Sequence, residues 1–198
     1  REIEGARLEV IPRAAHVPMW DTPEEFNRIV LQFLDDVERL PRCEPAQPVF
    51  SWGISGWTRG IAHRQAGRAR DLVLIHGLGM SSAYLERIAA ALFARGWSPI
   101  APDLPGFGES SNARAGGAED HARALEAWAD ALSIRNAMWV GHSSGCNAVA
   151  HLARMRPDLV RRSVMVGPLW TRSRFPNVRM FAHLALDAAS PAHDAVVV

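Results

Sequence analysis

The chain of 198 residues is long enough for one domain with a sizeable core, and 48% apolar with 22% charged residues is ordinary globular composition. A formal net charge of +1 gives no basic field for nucleic acid or an anionic membrane surface, and no apolar run approaches bilayer-spanning length. Two cysteines, Cys43 and Cys146, do not make a disulfide framework; they fit a reducing, cytoplasmic setting, with Cys146 packed as a small apolar residue.

The chain opens Arg1-Glu2-Ile3-Glu4, without an initiator Met or the apolar stretch of a signal peptide, and reads as an excerpt or a processed product. Residues 1–42 form a first unit. Ala6-Arg7-Leu8-Glu9-Val10-Ile11 alternates as a strand does. A loop from Pro12 to Trp20 carries His16. Thr22-Pro23-Glu24-Glu25 then opens a helix, with Thr22 as N-cap, Pro23 at the first helical position and Glu25 closing a capping box. Phe26, Ile29, Val30, Phe33, Leu34 and Val37 recur at helical spacing, so one apolar stripe must be covered. Pro41 ends the helix, and residues 43–48 read as a proline-rich linker.

Residues 49–168 form the main unit. Phe50-Ser51-Trp52 and Gly60-Ile61-Ala62-His63-Arg64 read as two antiparallel strands. Asp71-Leu72-Val73-Leu74-Ile75 is a short continuous apolar strand, as buried parallel strands are, and it runs into His76-Gly77-Leu78-Gly79. A helix is predicted from Ser82 to Arg95, with Leu85, Ile88, Ala89, Leu92 and Phe93 inward and Gly96 as stop. Trp97 to Ala101 is the next strand, followed by the turn-dense loop Pro102 to Ser110. A helix over Glu119 to Leu132, a strand Ala137 to Val140, a helix after Gly145 and a strand Ser163 to Val166 complete the series. Strands alternating with helices predict an α/β fold: a doubly wound, mostly parallel sheet with helices on both faces. Residues 169–198 read as the start of a helical lid, ending in unpartnered residues, Ala195 to Val198. No internal repeat or low-complexity tract is present.

Gly141-His142-Ser143-Ser144-Gly145 sits between a predicted strand and a predicted helix, the setting of a G-x-S-x-G nucleophile elbow. A side chain at either glycine would strike the adjoining strand or helix. The bland alternative is a glycine-bounded helix start with Ser143 as N-cap. A serine hydroxyl is a poor nucleophile at neutral pH and needs a base and oxyanion donors. The N–H groups of Ser144 and Leu78 are placed to donate, with His76, Gly77, Gly79 and His142 as supporting loop residues. The bland reading of His76 to Gly79 is a plain strand-to-helix turn.

Ile75-His76-Gly77-Leu78-Gly79, Asp103-Leu104-Pro105-Gly106-Phe107-Gly108-Glu109-Ser110 and Val140-Gly141-His142-Ser143-Ser144-Gly145 together resemble the α/β-hydrolase fold family, in the family's order. The resemblance implies Ser143 as nucleophile, Leu78 and Ser144 as oxyanion donors, and a lid from Leu169 onward. A serine at the elbow sets the chain apart from branches with an aspartate nucleophile, such as haloalkane dehalogenases. No cofactor or metal is implied. Leu8 to Phe26 is similar to the C-terminal end of such a domain, which makes His16 a catalytic-type histidine.

The family's order is Ser, Asp, His. Downstream of Ser143 stand His151, His183 and His193, and Asp158, Asp187 and Asp194, none of them after a predicted sheet strand. Two accounts follow. In the favoured one the chain is cut from a tandem fusion, and His16 serves a further hydrolase segment of the same polypeptide. In the other the fold is circularly permuted and His16 serves Ser143. The second would put the strand at Leu8 to Ile11 beside Ser163 to Val166, displacing His16 by about one strand spacing, roughly 4.8 Å. The function expected is a serine hydrolase acting on a small-molecule ester or related acyl bond. The alternatives are a catalytically incomplete binding module, or a C–C hydrolase or perhydrolase on the same fold.

Overall fold

The computed structural model describes residues 8–12, 14, 16–37, 49–110, 116–168 and 195–197. Its centre is an eight-stranded sheet in the order β1-β8-β7-β6-β4-β5-β3-β2. The strands are β1 (Glu9–Ile11), β2 (Ile54–Thr58), β3 (Ile61–Gln65), β4 (Leu72–Ile75), β5 (Pro99–Pro102), β6 (Ala137–His142), β7 (Val160–Val166) and β8 (Ala195–Val197). The helices are α1 (Pro18–Asp21), α2 (Pro23–Val37), α3 (Glu86–Phe93, preceded by a 3-10 turn at Ser82–Leu85), α4 (Ala118–Ala131) and α5 (Ser144–Met155). Strands β5, β4, β6 and β7 run parallel, and the β2–β3 hairpin closes one side antiparallel to β5.

The apolar strands alternate between two cores because successive side chains leave a strand on opposite faces. Leu72, Leu74, Met138, Val140, Val164 and Val166 face one side, where α3 contributes Ile88 and Leu92. Val73, Ile75, Ala137 and Trp139 face the other, against Leu125 and Trp128 of α4 and Val149 and Leu152 of α5. Both faces of the central strands are therefore dry, which is why these runs carry no polar alternation.

The N-terminal segment is part of this arrangement. Phe26, Val30 and Leu34 of α2 are buried in the same core as Leu72 and Ile88, together with Ile11 of β1 and Met19 of α1. Each such side chain contributes about 1.5–3 kcal/mol when removed from water. That burial holds the segment on the sheet despite the 127 positions between His16 and Ser143.

Three local expectations differ from the structure. Thr22 does not open α2 with its hydroxyl; Thr22 closes α1, its N–H donating to the Pro18 carbonyl (3.0 Å), and its Oγ1 reaches back to the same oxygen at 3.4 Å. Phe50 to Trp52 is not a strand. The Trp52 side chain is buried and its indole N–H donates to the Ser82 carbonyl (3.0 Å), while the hairpin turn falls at Arg59 and Gly60. Both turn residues have positive φ (52° and 75°), as tight two-residue hairpins require.

The third concerns Ala195 to Val197, which are partnered. They form β8, antiparallel to β1 (Ile11 opposite Ala195, Glu9 opposite Val197) and to β7 (Val166 opposite Val197). The strand at Leu8 to Ile11 thus does not pair beside β7. With β8 between them, and antiparallel to both, β1 runs in the same direction as β7 and one place further out. The one-strand displacement of His16 does not occur, because another strand fills the gap. Among the described residues no helix is long and apolar enough to cross a membrane. Cys146 is buried and free; Cys43 and the predicted lid helix lie outside the described residues.

Candidate active site

The C-terminal ends of β4, β6 and β1 come to the same edge of the sheet, where ligand crevices form in open α/β sheets. After β6 the chain turns into α5 through Ser143, whose φ of 54° and ψ of −121° are foreign to a residue with a side chain. The flanking glycines make the turn possible. A Cβ at Gly141 would lie 2.9 Å from the Cys146 backbone, and one at Gly145 would lie 2.6 Å from the His76 carbonyl oxygen. The Ser143 N–H donates to the Val166 carbonyl (2.8 Å), and the Cys146 thiol donates to the Gly141 carbonyl (3.1 Å). Burial pushes that thiol up to about 12, so Cys146 stays an unreactive packing group.

The structure brings His16 to Ser143. The His16 Nε2 lies 2.9 Å from the Ser143 Oγ, and the serine is 3% exposed. With the proton on Nδ1, the His16 Nε2 accepts the Ser143 hydroxyl proton. Behind His16 stands His142, with ring centroids 5.1 Å apart. The His142 Nε2–H donates to the main-chain carbonyl of His16 (2.9 Å), and its Nδ1 accepts from the Tyr84 hydroxyl (2.6 Å). Burial lowers the His142 pKa to about 4, and the neighbouring His16 and His76 push the same way, so the ring is neutral.

The His76 to Gly79 loop lies against the elbow. A Cβ on Gly77 would sit 3.0 Å from the His142 Nδ1 and 3.1 Å from the Ser143 Cβ. The Met80 N–H closes a turn onto the Gly77 carbonyl (3.3 Å), with Gly79 at φ 74°; this turn leaves the Leu78 N–H outside its own hydrogen bond. The Ser144 N–H belongs to the first turn of α5, whose leading donors have no carbonyl within the helix. His76 secures the loop from below. Its Nδ1–H donates to the Gly77 carbonyl (2.8 Å) and its Nε2 accepts from the Leu104 N–H (2.8 Å). Burial lowers its pKa, which keeps this tautomer neutral. Asp103, fully buried, ties the loop after β5 to the 3-10 turn before α3 by accepting from the Glu109 N–H (2.8 Å) and the Ser82 N–H (2.6 Å).

The other candidates are placed elsewhere. His151 lies roughly two turns along α5 from Ser143. Asp158 is held by Arg156 at 2.8 and 2.7 Å, in an exposed ionic cluster with Asp130. His183, His193, Asp187 and Asp194 lie outside the described residues. Two residues at the site escape sequence reasoning. Tyr84, the only tyrosine, links His142 to the loop, and Trp20 donates its indole N–H to the Tyr84 carbonyl (3.1 Å). The signal for Tyr84 was its place four residues before Ile88, on the inward stripe of the following helix.

Residues 72–194 match the family described as alpha/beta hydrolase fold, more than half of the chain. The chain belongs to the alpha/beta hydrolase fold family. Among curated members, a pimeloyl-[acyl-carrier protein] methyl ester esterase of Vibrio cholerae serotype O1 is 38% identical over 112 residues, 55% of this chain and 41% of the relative. The chain therefore spans less than half the length of that hydrolase. Among solved structures, wild-type Cfl2 from Burkholderia cenocepacia shares the fold, with a TM-score of 0.52 at 23% identity, over 62% of this chain and 46% of its own. A haloalkane dehalogenase loop variant, DbeA-M1 from Bradyrhizobium elkanii, gives a TM-score of 0.50 at 32% identity, over 57% of this chain and 38% of its own. The family match begins at β4, so β1, α1 and α2 stand outside it.

Proposed function

We propose that this hydrolase cleaves a carboxylic ester or related acyl bond of a small molecule through an acyl-enzyme, with Ser143 as nucleophile and His16 of the same chain as base. The observation that carries this reading is the 2.9 Å approach of the His16 Nε2 to the Ser143 Oγ at the end of a strained elbow. Ser143 attacks the acyl carbon while its proton passes to the His16 Nε2, and the carbonyl oxygen becomes an oxyanion. The N–H groups of Leu78 and Ser144 hold that oxyanion; each such donor is worth about 2.7–4 kcal/mol in the transition state. The proton on His16 then goes to the departing alkoxide, giving the alcohol and an acyl-Ser143. Water, deprotonated by His16, attacks the acyl carbon; Ser143 leaves and recovers the proton, releasing the acid.

The pimeloyl-[acyl-carrier protein] methyl ester esterase supports an ester as the bond broken. Hydrolysis of a series of p-nitrophenyl esters by the purified chain tests the reading. Turnover that disappears in Ser143→Ala and falls at least about 10³-fold in His16→Ala is expected. Turnover unaffected by Ser143→Ala contradicts it.

A further inference from the structure

The proposed base reaches Ser143 from a loop, not from a regular element. His16 lies between β1 and α1, and something must fix its backbone as well as its ring. The described contacts supply a chain of hydrogen bonds that does so. The Gly77 N–H points at the Tyr84 hydroxyl oxygen (3.4 Å), the Tyr84 hydroxyl is 2.6 Å from the His142 Nδ1, and the His142 Nε2 is 2.9 Å from the His16 carbonyl oxygen.

The proton positions along this chain follow from chemistry. A carbonyl oxygen only accepts, so the His142 Nε2 carries a proton. Burial keeps the ring neutral, so the Nδ1 is bare and accepts the Tyr84 O–H. The tyrosine oxygen then has a lone pair for the Gly77 N–H. Every link has one permitted direction. Tyr84 is also tied to α1 through the Trp20 indole on its carbonyl (3.1 Å), so the same residue braces both sides of the loop.

We propose that Tyr84 and His142 are positioning residues for His16: the Tyr84 hydroxyl bonds the His142 Nδ1 and fixes that ring, and the His142 Nε2–H holds the His16 main chain where its ring meets Ser143. This proposal rests on the reading of Ser143 and His16 as nucleophile and base. Without the Tyr84 hydroxyl, the buried His142 Nδ1 has no donor and the ring loses the contact that fixes its orientation. The ring can then turn to find a partner, carrying its Nε2–H away from the His16 carbonyl, and the loop shifts. The Gly77 link makes the same hydroxyl a brace between the base and the loop that presents the Leu78 N–H.

The test uses the full chain and p-nitrophenyl butyrate. Tyr84→Phe and His142→Leu are expected to lower kcat between about ten- and a hundredfold, the size of effect that a displacement near 1 Å produces, with KM little changed. His142→Gln keeps an N–H donor near the Nε2 position and an oxygen for Tyr84, and is expected to recover most of the loss. A residue that only supports the fold would lower Tm without this split between kcat and KM and without rescue. An active wild type whose kcat survives both Tyr84→Phe and His142→Leu overturns the proposal, as does failure of His142→Gln to recover activity when its Tm matches the wild type. A wild type that neither turns over esters nor reacts at Ser143 with a fluorophosphonate removes the serine-hydrolase reading, and the positioning roles with it.

Discussion

His16 and Ser143 are 127 positions apart in sequence, and their side chains approach to 2.9 Å. β8 lies between the strands that carry them to one edge of the sheet. Its three residues, Ala195 to Val197, separate β1 from β7 by one strand, and β1 then delivers its loop at the edge of the sheet where β6 delivers the elbow. A histidine that precedes its serine in sequence can thus still reach it.

The elbow should tolerate no added carbon at Gly145. A Cβ there would meet the His76 and Ile75 carbonyl oxygens at 2.6 and 2.9 Å, both backbone atoms that cannot swing aside. Gly145→Ala is expected to destabilise the fold by about 1–3 kcal/mol, the usual cost of overpacking, and to misplace Ser143. Gly53→Ala, where a Cβ would find nothing within 4 Å, is the control. Urea unfolding of the two variants measures the contrast, and equal stability would contradict it.

Asp158 is the first carboxylate after α5, and its partner is Arg156. Asp158→Asn is expected to leave ester turnover unchanged, because its carboxylate is committed to an exposed ion pair, and such pairs contribute little. A steady-state assay checks this; a large fall in kcat would place Asp158 in the catalytic machinery.

The buried imidazoles make stability depend on pH in a defined direction. His142 protonates near 4 in the folded chain against an ordinary 6.5, and His63, His76 and His121 are lowered in the same sense by burial. Below pH 6.5 the unfolded chain therefore binds more protons, so stability is full above that pH and is lost as pH falls toward 4. For His142 alone the loss is about 3 kcal/mol. Unfolding free energies at pH 7 and 4.5 should fall more in the wild type than in His142→Gln, which does not titrate. Equal losses would contradict the buried neutral state of His142.

Much of the sheet was legible because its strands are buried on both faces. Leu72 to Ile75 and Ala137 to Val140 are unbroken apolar runs, and α2 to α5 carry an apolar stripe or a breaker at the right place. The elbow was legible for a steric reason, since Gly141 and Gly145 are required by backbone atoms of their neighbours. Two things were not. β8 has three residues and gains its meaning only from β1 and β7, which are remote in sequence. Tyr84 lies on a stripe that reads as plain packing, and its hydroxyl acts through His142, a contact 58 positions away. The sequence favoured a further hydrolase segment as the target of His16 for the same reason: a loop histidine carries no sign of which serine it serves.

The most direct measurement is the rate at which a fluorophosphonate labels the purified chain, compared across wild type, Ser143→Ala and His16→Ala. A single label on Ser143 is expected, with none in Ser143→Ala and labelling slowed at least about 10³-fold in His16→Ala at an unchanged Tm. Labelling of His16→Ala at the wild-type rate would show that His16 is not the base for Ser143.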